Sequence, residues 1–112
     1  MATNLEFVLD VCERLRNTGD LRYRKMFGEY LVYVDDKPMV LLCDNTAFVK
    51  ILPALDDLMK DARIGLPYEG GKPHYILDVE DAALCEQVIK RLKPVTQVPK
   101  KRAGKRKNPP RS

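Results

Sequence analysis

At 112 residues, 45% apolar and 32% charged, the chain has material for one modest core and none for a second domain. No run approaches the roughly 20 apolar residues of a membrane span, and residues 1–6 lack the basic-then-apolar order of a secretory signal, so the expected location is the cytoplasm with no membrane partner. The formal charge of +4 conceals two segments: residues 1–92 carry 12 Lys/Arg against 16 Asp/Glu, a net of −4, whereas 93–112 carry eight basic residues and no acidic one.

Thr3-x-x-Glu6 has capping-box spacing, and Leu5, Val8, Cys12 and Leu15 repeat every three to four residues, which predicts an amphipathic helix. Asn17-Thr18-Gly19 should end it, with Gly19 in the left-handed conformation. From Leu21 the period shortens. Residues 21–27 predict a first strand before a bend at Gly28; Tyr30 to Val34, Met39 to Cys43 and Ala47 to Ile51 predict three more, joined by turns at Asp35-Asp36-Lys37 and Asp44-Asn45 into an antiparallel meander.

Pro53 suits a helix start, and Leu55, Leu58, Met59 and Ala62 share one face, so a second helix is predicted over 53–62. Residues 64–73, rich in Gly and Pro, read as a loop. His74 to Val79 supplies a further strand, and Leu84, Cys85, Val88, Ile89 and Leu92 a third helix limited by Pro94. The expected fold is a two-layer α+β domain over residues 1–93: four to five antiparallel strands with helices on one face, in the order α-β(3–4)-α-β-α. Residues 94–112, with four prolines and two basic triplets, have no apolar periodicity and are expected to be a disordered basic tail.

Cys12, Cys43 and Cys85 are odd in number and each sits among apolar residues, so they read as buried thiols; three lone Cys and the single His74 make a poor zinc set. Disulfides are not expected in a reducing compartment. Neither a cofactor nor a metal is expected.

The run Tyr23-Arg24-Lys25-Met26-Phe27-Gly28-Glu29-Tyr30, followed by Tyr33, Lys37 and Phe48-Val49-Lys50, resembles the signature of the TfoX/Sxy N-terminal domain of competence regulators. Pro67-Tyr68-Glu69-Gly70-Gly71-Lys72-Pro73-His74-Tyr75 resembles its second signature, and together the two extend the likeness over residues 5–92. The family pattern often has a second glycine where Glu29 stands. The resemblance implies a fold like that of secretion-chaperone-type domains and a part in bacterial transcription regulation, exercised in full-length members beside the cyclic-AMP receptor protein. Those members carry a C-terminal domain that this chain is expected to lack.

Arg22, Tyr23, Arg24 and Lys25 combine cations with an aromatic ring and, with Glu29, Tyr30, Tyr68, Lys72 and Tyr75, form the expected partner-binding set. An ordinary solvated strand and a loop that merely returns the chain to the sheet use the same residue types. Lys100, Lys101, Arg102, Lys105, Arg106, Lys107 and Arg111 suit nonspecific phosphate contact; an acidic protein surface or a merely solubilising tail uses the same residues. Asp56, Asp57 and Asp61 fall on the wet side of their predicted helix, which is usually solvation rather than metal binding.

The leading expectation is therefore a non-catalytic regulatory binding module with a transcription-related protein partner and DNA contact by the tail. The alternative is a nucleic-acid-independent homodimeric adaptor or chaperone-like domain. An enzyme ranks third, because His74 has no nucleophile in a recognisable motif beside it.

Overall fold

The structure, a computed structural model, describes residues 3–26 and 28–99. Phe27 and the seven tail cations lie outside the described residues. The elements run α1 (Leu5–Arg14), β1 (Leu21–Met26), β2 (Glu29–Val34), β3 (Lys37–Cys43), β4 (Thr46–Lys50), β5 (Ile64–Gly65), β6 (His74–Ile76) and α2 (Ala82–Leu92). Six strands form one antiparallel sheet in the order β1-β2-β3-β4-β6-β5. With both helices packed on it, the fold is a two-layer α+β domain, as expected, with a sixth strand where a loop alone was predicted. Among the described residues no helix is long and apolar enough to cross a membrane.

The two tightest links use the positive backbone angles that two-residue hairpins require. Asp35 and Asp36 (φ 51° and 66°) join β2 to β3, and Asp44 and Asn45 (φ 50° and 55°) join β3 to β4. Asp and Asn tolerate this region better than other non-glycine residues, and the resulting turn matches the right-handed twist of the strands. Pairing then follows the pleat. Tyr30, Val32, Val34, Val40, Leu42, Ala47, Val49 and Tyr75 point to one face, where they meet Val8, Val11 and Leu15 of α1 and Cys85, Val88, Ile89 and Leu92 of α2.

Three local expectations give way to tertiary contacts. Asn4, not Thr3, caps α1, its Oδ1 accepting from the Glu6 amide at 2.8 Å. Thr3 is buried instead, its hydroxyl 2.6 Å from Glu29 Oε1 and 3.0 Å from the Leu42 carbonyl, pinning the start of the helix to two strands.

The helix α1, whose last residue is Arg14 and whose C-cap is Leu15, is not closed by Gly19. Its φ of 156° lies near the extended range, and a Cβ there would fall 2.8 Å from both Val34 Cγ1 and Asp35 Oδ1, so close approach to the hairpin requires glycine.

The predicted helix over 53–62 is a single 3-10 turn, Pro53–Leu55, followed by turns. Its apolar side is real: Leu55 and Met59 are fully buried, and Leu58 and Ala62 pack against the core. Ten residues barely repay helix nucleation, and Asp56, Asp57 and Asp61 compete for backbone partners. Arg91 of α2 holds the segment from outside, donating to Asp57 at 2.8 and 3.1 Å and to the Ala54 carbonyl at 3.1 Å.

The chain does not leave the body at Lys93. A 3-10 turn, Lys93–Val95, continues α2, with Lys93 Nζ 3.1 Å from Asp35 Oδ2 and the Lys93 carbonyl accepting from Lys37 Nζ at 2.7 Å.

Candidate functional site

Because both helices lie on one face, the opposite face of the sheet has no helical layer among the described residues. Register places Arg22, Arg24 and Met26 of β1, Leu31 and Tyr33 of β2, Leu41 of β3, Phe48 and Lys50 of β4, and His74 and Ile76 of β6 on this open face. A β-bulge between Val32 and Tyr33 lets both Pro38 and Met39 reach its lower end. The 66–73 loop stands over one side and Val95, Thr96 and Gln97 over the other. Between them runs a groove of about 710 Å³ floored by Leu31, Leu41, Phe48 and Leu52.

The loop is shaped to present Tyr68. A turn closes with the Gly71 amide donating to the Tyr68 carbonyl at 3.0 Å, and a Cβ on Gly71 would sit 3.0 Å from the Tyr68 ring, so only glycine lets the ring fold back while staying 58% exposed at the groove. His74 Nδ1 lies 2.8 Å from the Lys72 carbonyl, and its ring meets Phe48 edge-on at 6.4 Å. Those contacts orient the imidazole as part of the groove wall.

The nine residues expected to meet a partner divide accordingly. Arg22, Arg24, Tyr68 and Lys72 are on the open side. Arg22 is engaged there, 2.7 Å from Asp36 and with its guanidinium 5.5 Å from the Tyr33 ring centre. Tyr23 and Lys25 point to the other side of β1, where the Tyr23 ring meets Tyr30 at 5.8 Å.

Tyr30 and Tyr75 are 8% exposed and belong to the core rather than to a contact surface, since alternation sets them beside Val32 and Val49. Glu29 is also spoken for: its carboxylate accepts from Thr3 and, at 3.3 Å, from the Asp44 amide. The groove floor was missed by sequence reasoning. Its signal is that β2 and β3 are apolar at nearly every position, whereas an antiparallel strand covered on one side should alternate.

Cys43 and Cys85 are buried and Cys12 half-buried. Burial, and secondarily Glu29, pushes Cys43 up to about 11; burial, followed by Asp81 and Asp78, does the same to Cys85, and burial also raises Cys12.

Two exposed carboxylates form tertiary ion pairs, Asp35 with Lys93 and Asp57 with Arg91. The Asp20 amide and then Lys93 keep Asp35 below its ordinary value of 3.8, and Arg91 does so for Asp57. The folded chain therefore binds these protons more weakly than the unfolded one. Their contribution to stability is full above the unfolded value and fades as pH falls through the lower folded values. Thermal unfolding followed from about pH 6 to about pH 2.5 should show the midpoint dropping below the ordinary carboxylate range near pH 4, and Asp35→Asn with Asp57→Asn should flatten part of that drop. A profile unchanged by the double replacement would remove these two groups from the acid response.

Fold and groove together define a small one-sided α+β protein with a basic-rimmed, apolar sheet surface. No protein-family model matches the chain. It is 32% identical over 111 residues to the uncharacterized 12.7 kDa protein in the trpE 5′ region of Spirochaeta aurantia, an alignment that covers 97% of this chain and 96% of that protein. The chain belongs to the same family as that spirochaete protein.

Proposed function

We propose that the protein is a non-catalytic regulatory binding module of the TfoX/Sxy N-terminal kind, acting in the cytoplasm in transcription. It docks a protein partner on the open face of the sheet while the basic residues 100–111 contact DNA nonspecifically. A regulator of the cyclic-AMP receptor type is the partner that the resemblance suggests. The observation that carries the reading is the one-sided layering: a folded domain that covers one sheet face with two helices leaves the other as an apolar groove of about 710 Å³.

The test is affinity capture from an extract of the native organism with the intact chain and with Tyr68→Arg, captured proteins being identified by mass spectrometry. Transcription proteins should be retained by the former and lost with the latter. If none is retained, or if retention ignores Tyr68, the reading fails.

A second reading, a homodimeric or chaperone-like adaptor that needs no nucleic acid, is favoured by the position of β1 at the sheet edge, where one side of its backbone ladder has no strand partner among the described residues. A monomer by light scattering at high protein concentration would remove it.

A further inference from the structure

The helix layer carries charge of both signs, Glu6, Asp10, Glu13 and Glu86 beside Arg14, Arg16, Lys90 and Arg91, whereas the strands of the open face present mainly cations. Register sets Lys50 beside His74 at the lower end of the face, Lys72 rises from the loop above them, and Arg24 flanks Leu31 on β1. Arg24, Lys50 and Lys72 are exposed and form no ion pair among the described residues. Glu29, which alternation brings to this side, is already held by Thr3 and the Asp44 amide, and the exposed Glu69 lies on the same loop as Lys72.

The floor between these cations is mainly aliphatic. Met26, Tyr68 and Val95, three of the large apolar side chains left exposed, all border it. Among the described residues that border the groove, Tyr68 is the one exposed ring, Phe48 is nearly buried and His74 half-buried, so the described floor offers no row of open rings on which successive bases would stack. It has instead a groove for apolar side chains and, around it, three cations, Arg24, Lys50 and Lys72, that form no ion pair among the described residues. From β1 to β6 the face is five strands wide, about 19 Å at 4.8 Å per spacing, which an α-helix of about 13 residues or an extended stretch of about six would cross.

Building on the open-face reading above, we propose that the groove's occupant is an acidic segment of a protein partner, about 12 residues long, carrying two or three large apolar anchors. The anchors fill the space over Leu31, Leu41 and Phe48, and the carboxylates meet Lys50, Lys72 and Arg24 at the rim. This is recognition by an apolar groove with charge setting the specificity.

The experiment is selection of random 12-residue peptides displayed on phage against the immobilised full chain. The enriched sequences are then synthesised and their binding measured by fluorescence anisotropy, with a 12-nucleotide oligothymidine as the nucleic-acid probe. The enriched peptides should be net negative with at least two large apolar residues, and Lys50→Glu with Lys72→Glu should weaken them about tenfold or more. Amide shifts on titration should fall on Leu31, Leu41 and Phe48. Both lysines are exposed, so the double variant should fold, and its unchanged thermal midpoint checks that.

No enrichment, neutral or basic consensus sequences, or indifference to the charge reversal would overturn the proposal. So would oligothymidine binding that depends on the same two lysines, since it would assign the face to nucleic acid. If protein capture depends on Tyr68 but the selected peptides are not acidic, the proposed occupant falls and open-face docking stands; if neither depends on the face, both fall.

Discussion

Replacing Leu55 by alanine should cost about 2–5 kcal/mol of folding stability, the range for emptying a fully packed leucine site. Leu55 has no exposed surface, although the 53–61 segment around it has only a single 3-10 turn of regular structure. Its backbone order depends on Leu55 and Met59 going inward and on Arg91 clasping Asp57 and the Ala54 carbonyl. Against the roughly 5–15 kcal/mol that ordinary domains possess, the loss is a large share.

Asp56→Ala is the informative companion. In an α-helix the exchange would improve propensity, whereas in a turn an exposed residue of this kind should change stability by no more than about 0.5 kcal/mol. Urea denaturation of both variants decides the matter. A loss below about 1 kcal/mol for Leu55→Ala would mean that this segment does not close the core.

Deleting residues 100–112 should abolish binding to random-sequence duplex DNA at low salt, and the intact chain should lose affinity steeply as salt rises. Seven cations lie beyond Pro99, while residues 1–99 carry 13 Lys/Arg against 16 Asp/Glu, so the remaining body is net acidic. Each phosphate neutralised steepens the fall of log affinity on log salt by about 0.9, and six or seven contacts amount to a loss of roughly 2,000- to 6,000-fold between 50 and 200 mM. The truncation belongs after Pro99 rather than Lys93, because Val95, Thr96 and Gln97 border the groove and an earlier cut would damage both sites at once. Anisotropy across a salt series, with both chains, measures the effect. Equal affinity for the two would shift the DNA contact to the folded body, and no binding by either would remove DNA from the proposal.

The clearest misreadings of the chain share a cause. Thr3-x-x-Glu6 satisfies a capping spacing, yet the hydroxyl is worth more between Glu29 and Leu42, 26 and 39 residues away. Gly19 has the right place to end a helix, but Val34 and Asp35 occupy the volume where a side chain would go. Ile64–Gly65 had too little pattern to be seen as a strand, and is one because β6 offers it a ladder. In each case a short local signal competes with a partner that only the folded chain brings near.

Where the local signal was long it sufficed. The three-to-four repeat of Val8, Val11 and Leu15, the repeat of Cys85, Val88, Ile89 and Leu92, and the hairpin residues Asp35-Asp36 and Asp44-Asn45 determine two helices, a meander and hence the two-layer class, because each acts between neighbours in the chain. Which sheet face the helices cover is not a property of any one segment. Strands β2 and β3 are apolar on both sides, and the choice follows from how the ends of the hairpins tie to Thr3 and Lys93. Only that choice puts Tyr30 and Tyr75 inside, and leaves Leu31, Leu41, Arg24, Lys50 and Lys72 together on the surface where a partner can meet them.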